Sequence, residues 1–340
     1  MIQEAISVIL QGGRLTSEQA ESAIDQIMSG QATSAQIAGF AIALAVRGET
    51  AEELAGCARA MRRHATRVEV HHEGAVDNCG TGGDGLGTFN ISTTAAFVAA
   101  GAGCVVAKHG NRAASSRCGS AEVLEAAGVS LSASPELVGR AIDEIGIGFL
   151  FAAQLHGALR HAAAPRKELG VRTVFNLLGP LANPAGVRRQ VIGVARPEHV
   201  DLVAQALMLL GVDHALVVHG AGGADELTLS GRNTVREVRG QEVRNVRVDA
   251  ESLGLKPCDN EVLRGGDAAE NVQILEAVLG GAPGPQREIV LMNAAATIYV
   301  SGRAPSIEAA LALGAQSIDS GAARGKLRSL VAFTQAELAG

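Results

Sequence analysis

Tryptophan is absent from this 340-residue chain, tyrosine occurs once and phenylalanine seven times. A core without many large rings must be assembled from Ala, Val, Leu and Ile, with 42 glycines allowing close backbone approach. So few aromatics leave little surface on which nucleobases could stack. Basic charge is scarce too. The 29 Lys and Arg against 35 Asp and Glu give a net charge of −6, which excludes a generally basic nucleic-acid surface. The five cysteines, at 57, 79, 104, 118 and 258, are odd in number and include no CxxC pair. Neither a secreted disulfide framework nor a structural zinc site is expected. The first residues, MIQEAISVILQGG, lack the basic region of a secretory signal. The longest uncharged, mostly apolar run, Ala95 to Ala107, has 13 residues and two internal glycines, too few to cross a bilayer. What remains is a cytoplasmic globular protein that handles something small.

The apolar residues, 47% of the chain, are organised in two ways. Over residues 1–66 they recur at helical spacing. Thr33 with Gln36, and Thr50 with Glu53, form capping boxes ahead of two stripes, Ile37-Phe40-Ala41-Leu44 and Leu54-Cys57-Ala58-Met61. Beyond them, short Val/Ile/Leu runs at 104–107, 190–194 and 215–219 alternate with helical stretches at 120–127, 134–144 and 197–210. This predicts an α/β fold: a small N-terminal α-helical domain, 1–66, and a larger α/β domain, 67–340, with a central mostly parallel sheet flanked by helices. Alternation over 226–248, around Ser230-Gly231 and Arg239-Gly240, predicts β-hairpins. The Ala/Leu-rich helices of 268–336 are expected to join the other helical segments in one smaller domain.

Chemistry concentrates in three places. Residues 77–94, DNCGTGGDGLGTFNISTT, hold five glycines in eight positions. Such a segment is a loop whose free N–H groups can cradle an anion. Ser92, Thr93 and Thr94 then open an Ala-rich helix, whose N-terminus adds donors. Gly80-x-Gly82-x-x-Gly85 matches the dinucleotide fingerprint, but no acid stands between Asp84 and Glu122 to take a ribose. Leu86 and Gly87 occupy the places where a P-loop needs Lys and Ser/Thr. The second segment, KHGNRAASSRCGS at 108–120, follows an apolar strand and gathers Lys108, His109, Arg112 and Arg117 with Asn111 and three serines. The chain has only four lysines, so one at a strand end, where open α/β sheets bind ligands, points to a substrate with several phosphates. The third place is Asp225-Glu226, after a Gly-rich turn and before a predicted strand. Hard carboxylate oxygens beside a polyphosphate suit Mg²⁺.

Taken together, GTGGD (80–84), NIST (90–93), KHGNRAASSR-x-GSAEVLE (108–125), LGVRTVFNLLGPL-x-NP (169–184) and DEL (225–227) carry a resemblance over nearly the whole chain. It is to the anthranilate phosphoribosyltransferase family of tryptophan biosynthesis, within the nucleoside phosphorylase/phosphoribosyltransferase class-III fold. The resemblance implies transfer of the 5-phosphoribosyl group from 5-phosphoribosyl 1-diphosphate to anthranilate. It also implies two Mg²⁺ ions per subunit, a cytoplasmic homodimer joined through the helical domain, and no nucleic-acid or membrane partner. In the first loop it assigns Gly80, Gly83, Asp84, Thr88, Asn90, Ile91, Ser92 and Thr93 to the donor. In the second it assigns Lys108, His109, Gly110, Asn111, Arg112, Ala113, Ala114, Ser115 and Ser116, with Ser120. Gly80, Asn111 and Arg166 match anthranilate contacts, with His109 beside the acceptor path, and Ser92, Asp225 and Glu226 match the Mg²⁺ positions. No residue is implied as acid, base or nucleophile.

The departures lie at the acceptor entrance. Ala153 and Gly157 stand where the family has prolines, and Pro165 is shifted, while His156 and Arg166 remain. Channel shape and rigidity therefore differ from the family pattern. The alternatives are a transferase with another aromatic acceptor, or a non-catalytic phosphate- or nucleic-acid-binding relative. The last gives no reason for Asp225-Glu226. For the transfer itself, an arylamine is neutral at pH 7 and needs no strong base. Positioning and electrostatics are expected to supply the rate, and Cys79 and Cys118 to be incidental thiols.

Overall fold

A computed structural model describes residues 1–113 and 117–336. Four helices open the chain: α1 (Ile2–Leu10), α2 (Ser17–Met28), α3 (Ser34–Arg47) and α4 (Ala51–His64). The caps of α3 and α4 form as the sequence predicts. Thr33 and Thr50 accept from the N–H of Gln36 and Glu53, whose side chains accept from the cap N–H in return. Glu53 is fully buried. Its carboxylate also takes the Leu15 N–H at 2.8 Å and pairs with Arg47, so the α1–α2 linker is tied to α4.

The chain then builds a sheet: β1 (Val76–Gly80), α5 (Ile91–Gly101), β2 (Val106–Gly110), α6 (Ser120–Ala126), α7 (Pro135–Ile145) and β3 (Ile147–Phe151). Three helices follow, α8 (Ala152–Leu155), α9 (Arg160–Leu169) and α10 (Phe175–Leu181). Next come β4 (Arg189–Gly193), α11 (Glu198–Leu209), β5 (His214–His219) and the hairpin β6 (Thr234–Arg239)–β7 (Glu242–Asn245). Strand order is β3-β2-β1-β4-β5-β6-β7, the first five parallel and the last two antiparallel. The chain runs outward from β1 to β3, then returns to lay β4 on the other side of β1. That reversal opens a crevice beyond the strand C-termini, the usual ligand position in open α/β sheets.

Alternate residues feed alternate faces. Val191, Leu216 and Val218 join a core with α5 and four C-terminal helices, α12 (Ala268–Leu279), α13 (Pro285–Ser301), α14 (Ile307–Asp319) and α15 (Ala322–Ala336). Ile192, Ala215 and Val217 join another with α1–α4 and α9–α11. This corrects one expectation: the C-terminal helices pack on α5 and the sheet, and the later helices that pack against the N-terminal bundle are α9, α10 and α11. The reason lies in α13, buried at every residue from Ile289 to Val300. A helix that is apolar all round must be covered all round, which a surface bundle does not provide.

Three further expectations are corrected. Of the two predicted hairpins only the Arg239-Gly240 turn forms one, and Asp225-Glu226 precede a loop instead of a strand. There the Asn233 side chain replaces a strand ladder. It accepts from the N–H of Ala221 and Thr228 at 3.1 Å and donates to the carbonyls of Thr228 and Val248. Thirdly, β2 extends to Gly110, so Lys108 and His109 lie within a strand and are buried. Among the described residues no helix is long and apolar enough to cross a membrane.

Candidate active site

Three loops meet at the C-terminal ends of β1, β4 and β5. The Thr81 N–H donates to the Gly193 carbonyl at 2.8 Å. The Gly82 N–H donates to Asp225 Oδ2 at 2.6 Å, and the Ser92 N–H, in the first turn of α5, donates to Glu226 Oε1 at 3.2 Å. A Cβ at Gly80 or Gly193 would press on Asp225, so their bare backbones let the 220–227 loop lie directly across β1 and β4. Asn293 of α13 fixes the residue after Glu226. It accepts from the Leu227 N–H at 3.1 Å and donates to the Leu227 carbonyl at 2.9 Å.

The electrostatics of this corner are one-sided. Withdrawal from water, reinforced by the facing Asp84, raises the Asp225 carboxyl above its ordinary range; withdrawal from water and Asp225 do the same to Glu226. The field of Lys108 only partly offsets this at Glu226. Carboxyls whose ionisation is suppressed by burial and by a neighbouring carboxylate mark a place short of positive charge. Hard oxygen donors from Asp225 and Glu226, with Ser92 adjoining, fit Mg²⁺.

The basic residues are less concentrated than the sequence suggests. Lys108 points inward, its Nζ donating to the Asn78 carbonyl at 2.7 Å, while Asn78 Nδ2 donates to the Ser92 carbonyl at 2.8 Å. Arg112 turns away to grip Glu125 with two bonds of 3.0 and 3.3 Å, its guanidinium 5.7 Å from the centre of the Phe151 ring. Arg117 is exposed, 4.0 Å from Glu270. The expected cluster of cations is therefore not assembled. Buried Asp77 explains why the strand continues: it accepts the His109 N–H at 3.0 Å and the Asn183 amide at 2.8 Å, giving this polar stretch partners inside the sheet.

Most of the remaining residues expected to hold the donor are engaged within the protein. Asn111 and Ser120 exchange hydrogen bonds of 3.1 Å, and the Ala113 N–H rests on Glu122. Asp84 accepts from the Leu86 N–H, Thr88 bridges Arg264, and Asn90 holds Cys118 and Asn271. Ile91 and Thr93 are buried in α5, and Gly110 ends β2. Burial pushes the Cys79 and Cys118 thiols up, so both are protonated at neutral pH. Ala114, Ser115 and Ser116 lie outside the described residues.

Among the residues expected near the acceptor, His109 Nε2 and His156 Nε2 are 3.2 Å apart. Burial, with His156 and Lys108 adding to it, lowers His109 to about 3, and burial lowers His156 to about 4. Both rings are therefore neutral at pH 7, one donating and the other accepting. A histidine whose folded pKa is depressed contributes stability above the unfolded value of about 6.5, and loses it as pH falls through the folded value. The melting temperature is expected to fall between about pH 6.5 and 4, and less steeply in His156→Gln; equal slopes by thermal melts would refute the pair's role. Arg166 sits in α9 with its guanidinium 5.4 Å from the centre of the Phe175 ring, and among the described residues it has no carboxylate partner. The helix α9 starts at Arg160, and Pro165 lies inside it.

Sequence reasoning gave no role to four residues that build the corner. Arg172 donates to the Gly82 carbonyl at 2.8 Å; Asp77, Asn233 and Asn293 act as described. Arg172 and Asp77 lay inside segments already singled out, but nothing local marked their partners.

Comparison with known proteins follows the same division. A model described as the helical bundle domain of a glycosyl transferase family matches residues 3–65, and one for the a/b domain of that family matches 72–324. An anthranilate phosphoribosyltransferase of Anaeromyxobacter sp. (strain K) is 54% identical over 334 residues, 98% of this chain and 99% of its own. That of Syntrophobacter fumaroxidans is 52% identical over 334 residues with the same coverage. The crystal structure of the Thermus thermophilus anthranilate phosphoribosyltransferase is similar at a TM-score of 0.93 and 47% identity, covering 97% of this chain and 99% of that one. The Saccharomyces cerevisiae protein of that name, in complex with PRPP and Mg, is similar at 0.90 and 28%, covering 98% of each.

Proposed function

The chain belongs to the anthranilate phosphoribosyltransferase family, and from that premise we propose how its residues divide the work. The protein transfers the 5-phosphoribosyl group from 5-phosphoribosyl 1-diphosphate to anthranilate, giving N-(5-phosphoribosyl)anthranilate and diphosphate, a step of tryptophan biosynthesis that uses Mg²⁺. The donor lies along the 80–93 loop and α5 start and the 108–120 segment. Anthranilate is held by Gly80, Asn111 and Arg166. Ser92, Asp225 and Glu226 hold the metal, two ions per subunit, and two copies pair through the 1–66 helical domain in the cytoplasm. The observation that supports this most directly is the meeting of the Gly82 N–H and the α5 first turn with Asp225 and Glu226 where the strand order reverses.

Displacing diphosphate from an anomeric carbon builds positive charge on the ribose and negative charge on the leaving group. Bound Mg²⁺ supplies charge stabilisation to that leaving group. The loop N–H groups and the N-terminus of α5 hold the donor without reorganising as charge develops. Neutral His109 and His156 leave the amine nucleophile unprotonated and place no competing charge on the acceptor path. Product analysis with the two substrates and Mg²⁺ tests the reading; absence of phosphoribosylanthranilate would overturn it.

Arg166 carries a further prediction. A guanidinium can grip the anthranilate carboxylate with two bonds, and this one has no carboxylate partner among the described residues. Arg166→Ala should cost about 1.5–3 kcal/mol, roughly a ten- to hundredfold rise in anthranilate KM, with donor affinity little changed. Steady-state kinetics that match the parent would make Arg166 a surface residue.

A further inference from the structure

Arg172 stands between α9 and α10, two residues after the glycine that ends α9. Its Nη1 donates to the Gly82 carbonyl at 2.8 Å, while the Gly82 N–H donates to Asp225 Oδ2 at 2.6 Å. The peptide units on either side of Gly82 are thus held by side chains from different segments. In a trans peptide the carbonyl and the next N–H point in opposite directions. Fixing the Gly82 oxygen on Arg172 therefore turns the Gly83 N–H away from Arg172. Gly82 and Gly83 have φ of +68° and +74°, a region open chiefly to glycine, and neither carries a side chain that could lock the loop. An external clamp supplies that constraint. Among the described residues Arg172 has no carboxylate within ion-pair distance, though the charges of Asp225 and Asp84 act on it against that of Arg196.

We propose that Arg172 is a positioning residue for the diphosphate donor: it clamps the Gly82 carbonyl so that the Gly83 N–H is presented to the phosphate oxygens. This rests on the reading that the glycine loop holds the donor. Because Arg172 follows closely on α9, which carries Arg166, the clamp joins the donor loop to the helices of the acceptor side.

The test compares Arg172→Met and Arg172→Lys in the full chain, with steady-state kinetics in both substrates and calorimetric titration with Mg²⁺ and inorganic pyrophosphate. Arg172→Met is expected to raise the donor KM and weaken pyrophosphate binding about tenfold, in line with loss of a charge-assisted bond. Anthranilate KM should stay at the parent value. Arg172→Lys, whose single ammonium can still reach a carbonyl, should recover most of the loss. A rise in anthranilate KM alone, unchanged kinetics in both variants, or no recovery by Lys would each overturn the proposal. If Arg172→Met does not fold, Arg172→Gln replaces it and the same criteria apply. Gly83→Val run in parallel separates the two levels: donor binding retained there overturns the loop reading itself, whereas binding lost there but kept in Arg172→Met overturns only the clamp.

Discussion

Replacing Asp225 by Asn together with Glu226 by Gln is expected to lower turnover at limiting Mg²⁺ about a hundredfold or more while leaving the fold intact. The two carboxyls are the hard-oxygen donors of the corner; burial raises both, with Asp84 adding to it at Asp225 and Asp225 adding to it at Glu226. Removing both charges deletes the place where a divalent cation would offset the leaving group, worth several kcal/mol in the transition state. The same change relieves a repulsion between partly desolvated groups, so thermal stability should be unchanged or higher. The amides keep acceptors for the Gly82 and Ser92 N–H groups, which preserves the loop. Kinetics across Mg²⁺ concentration, with melting curves on the same samples, check both halves. Near-parent turnover at limiting Mg²⁺ would remove these residues from the metal site.

Gly83→Val is expected to abolish measurable donor binding. Gly83 sits at φ +74°, and a Cβ there would fall well inside contact with Arg172 Nη1. A β-branched residue cannot hold that backbone without strain of about 1–3 kcal/mol. The loop must then rotate, and its N–H groups no longer converge. The position is exposed, so the cost should fall on binding more than on folding. Calorimetry with the donor and Mg²⁺ on folded Gly83→Val protein provides the measurement; parent-like affinity would refute the cradle.

Much of this molecule was legible before any tertiary contact was known, where the determining physics is local. A threonine followed three residues later by Gln or Glu satisfies orphan N–H groups within one turn, and α3 and α4 start where Thr33 and Thr50 indicate. Four glycines between 82 and 87 keep that segment out of regular structure, although Gly80 ahead of them is the last residue of β1. Asp225-Glu226 are adjacent in the chain, so their repulsion and their suitability for a cation are built into the sequence. The resemblance carried by the loop motifs was legible for the same reason: each is a short run of residues acting together.

What the sequence could not specify is where long side chains point and which distant groups they meet. Lys108 reads as a cation at a strand end, yet it is a strand residue, because the Asn78 carbonyl receives its ammonium inside the sheet. Arg112 belongs to the same apparent cluster and instead pairs with Glu125. Helices 268–336 look like further members of a bundle, but α13 needs cover on every side and finds it against α5 and the sheet. The loop that holds Asp225 is set by Asn233 and Asn293, whose amides look like ordinary polar residues in a linear reading. Gly82 meets Arg172 across 90 residues and Asp225 across 143. The sequence alone determined the helix caps, the glycine cradle and the paired carboxylates, since each depends on neighbours along the chain. Only the tertiary structure decided which cations face that cradle and what holds it in shape, because hydrophobic periodicity reports which face of an element is buried and carries no information about the partner a buried polar group will find there.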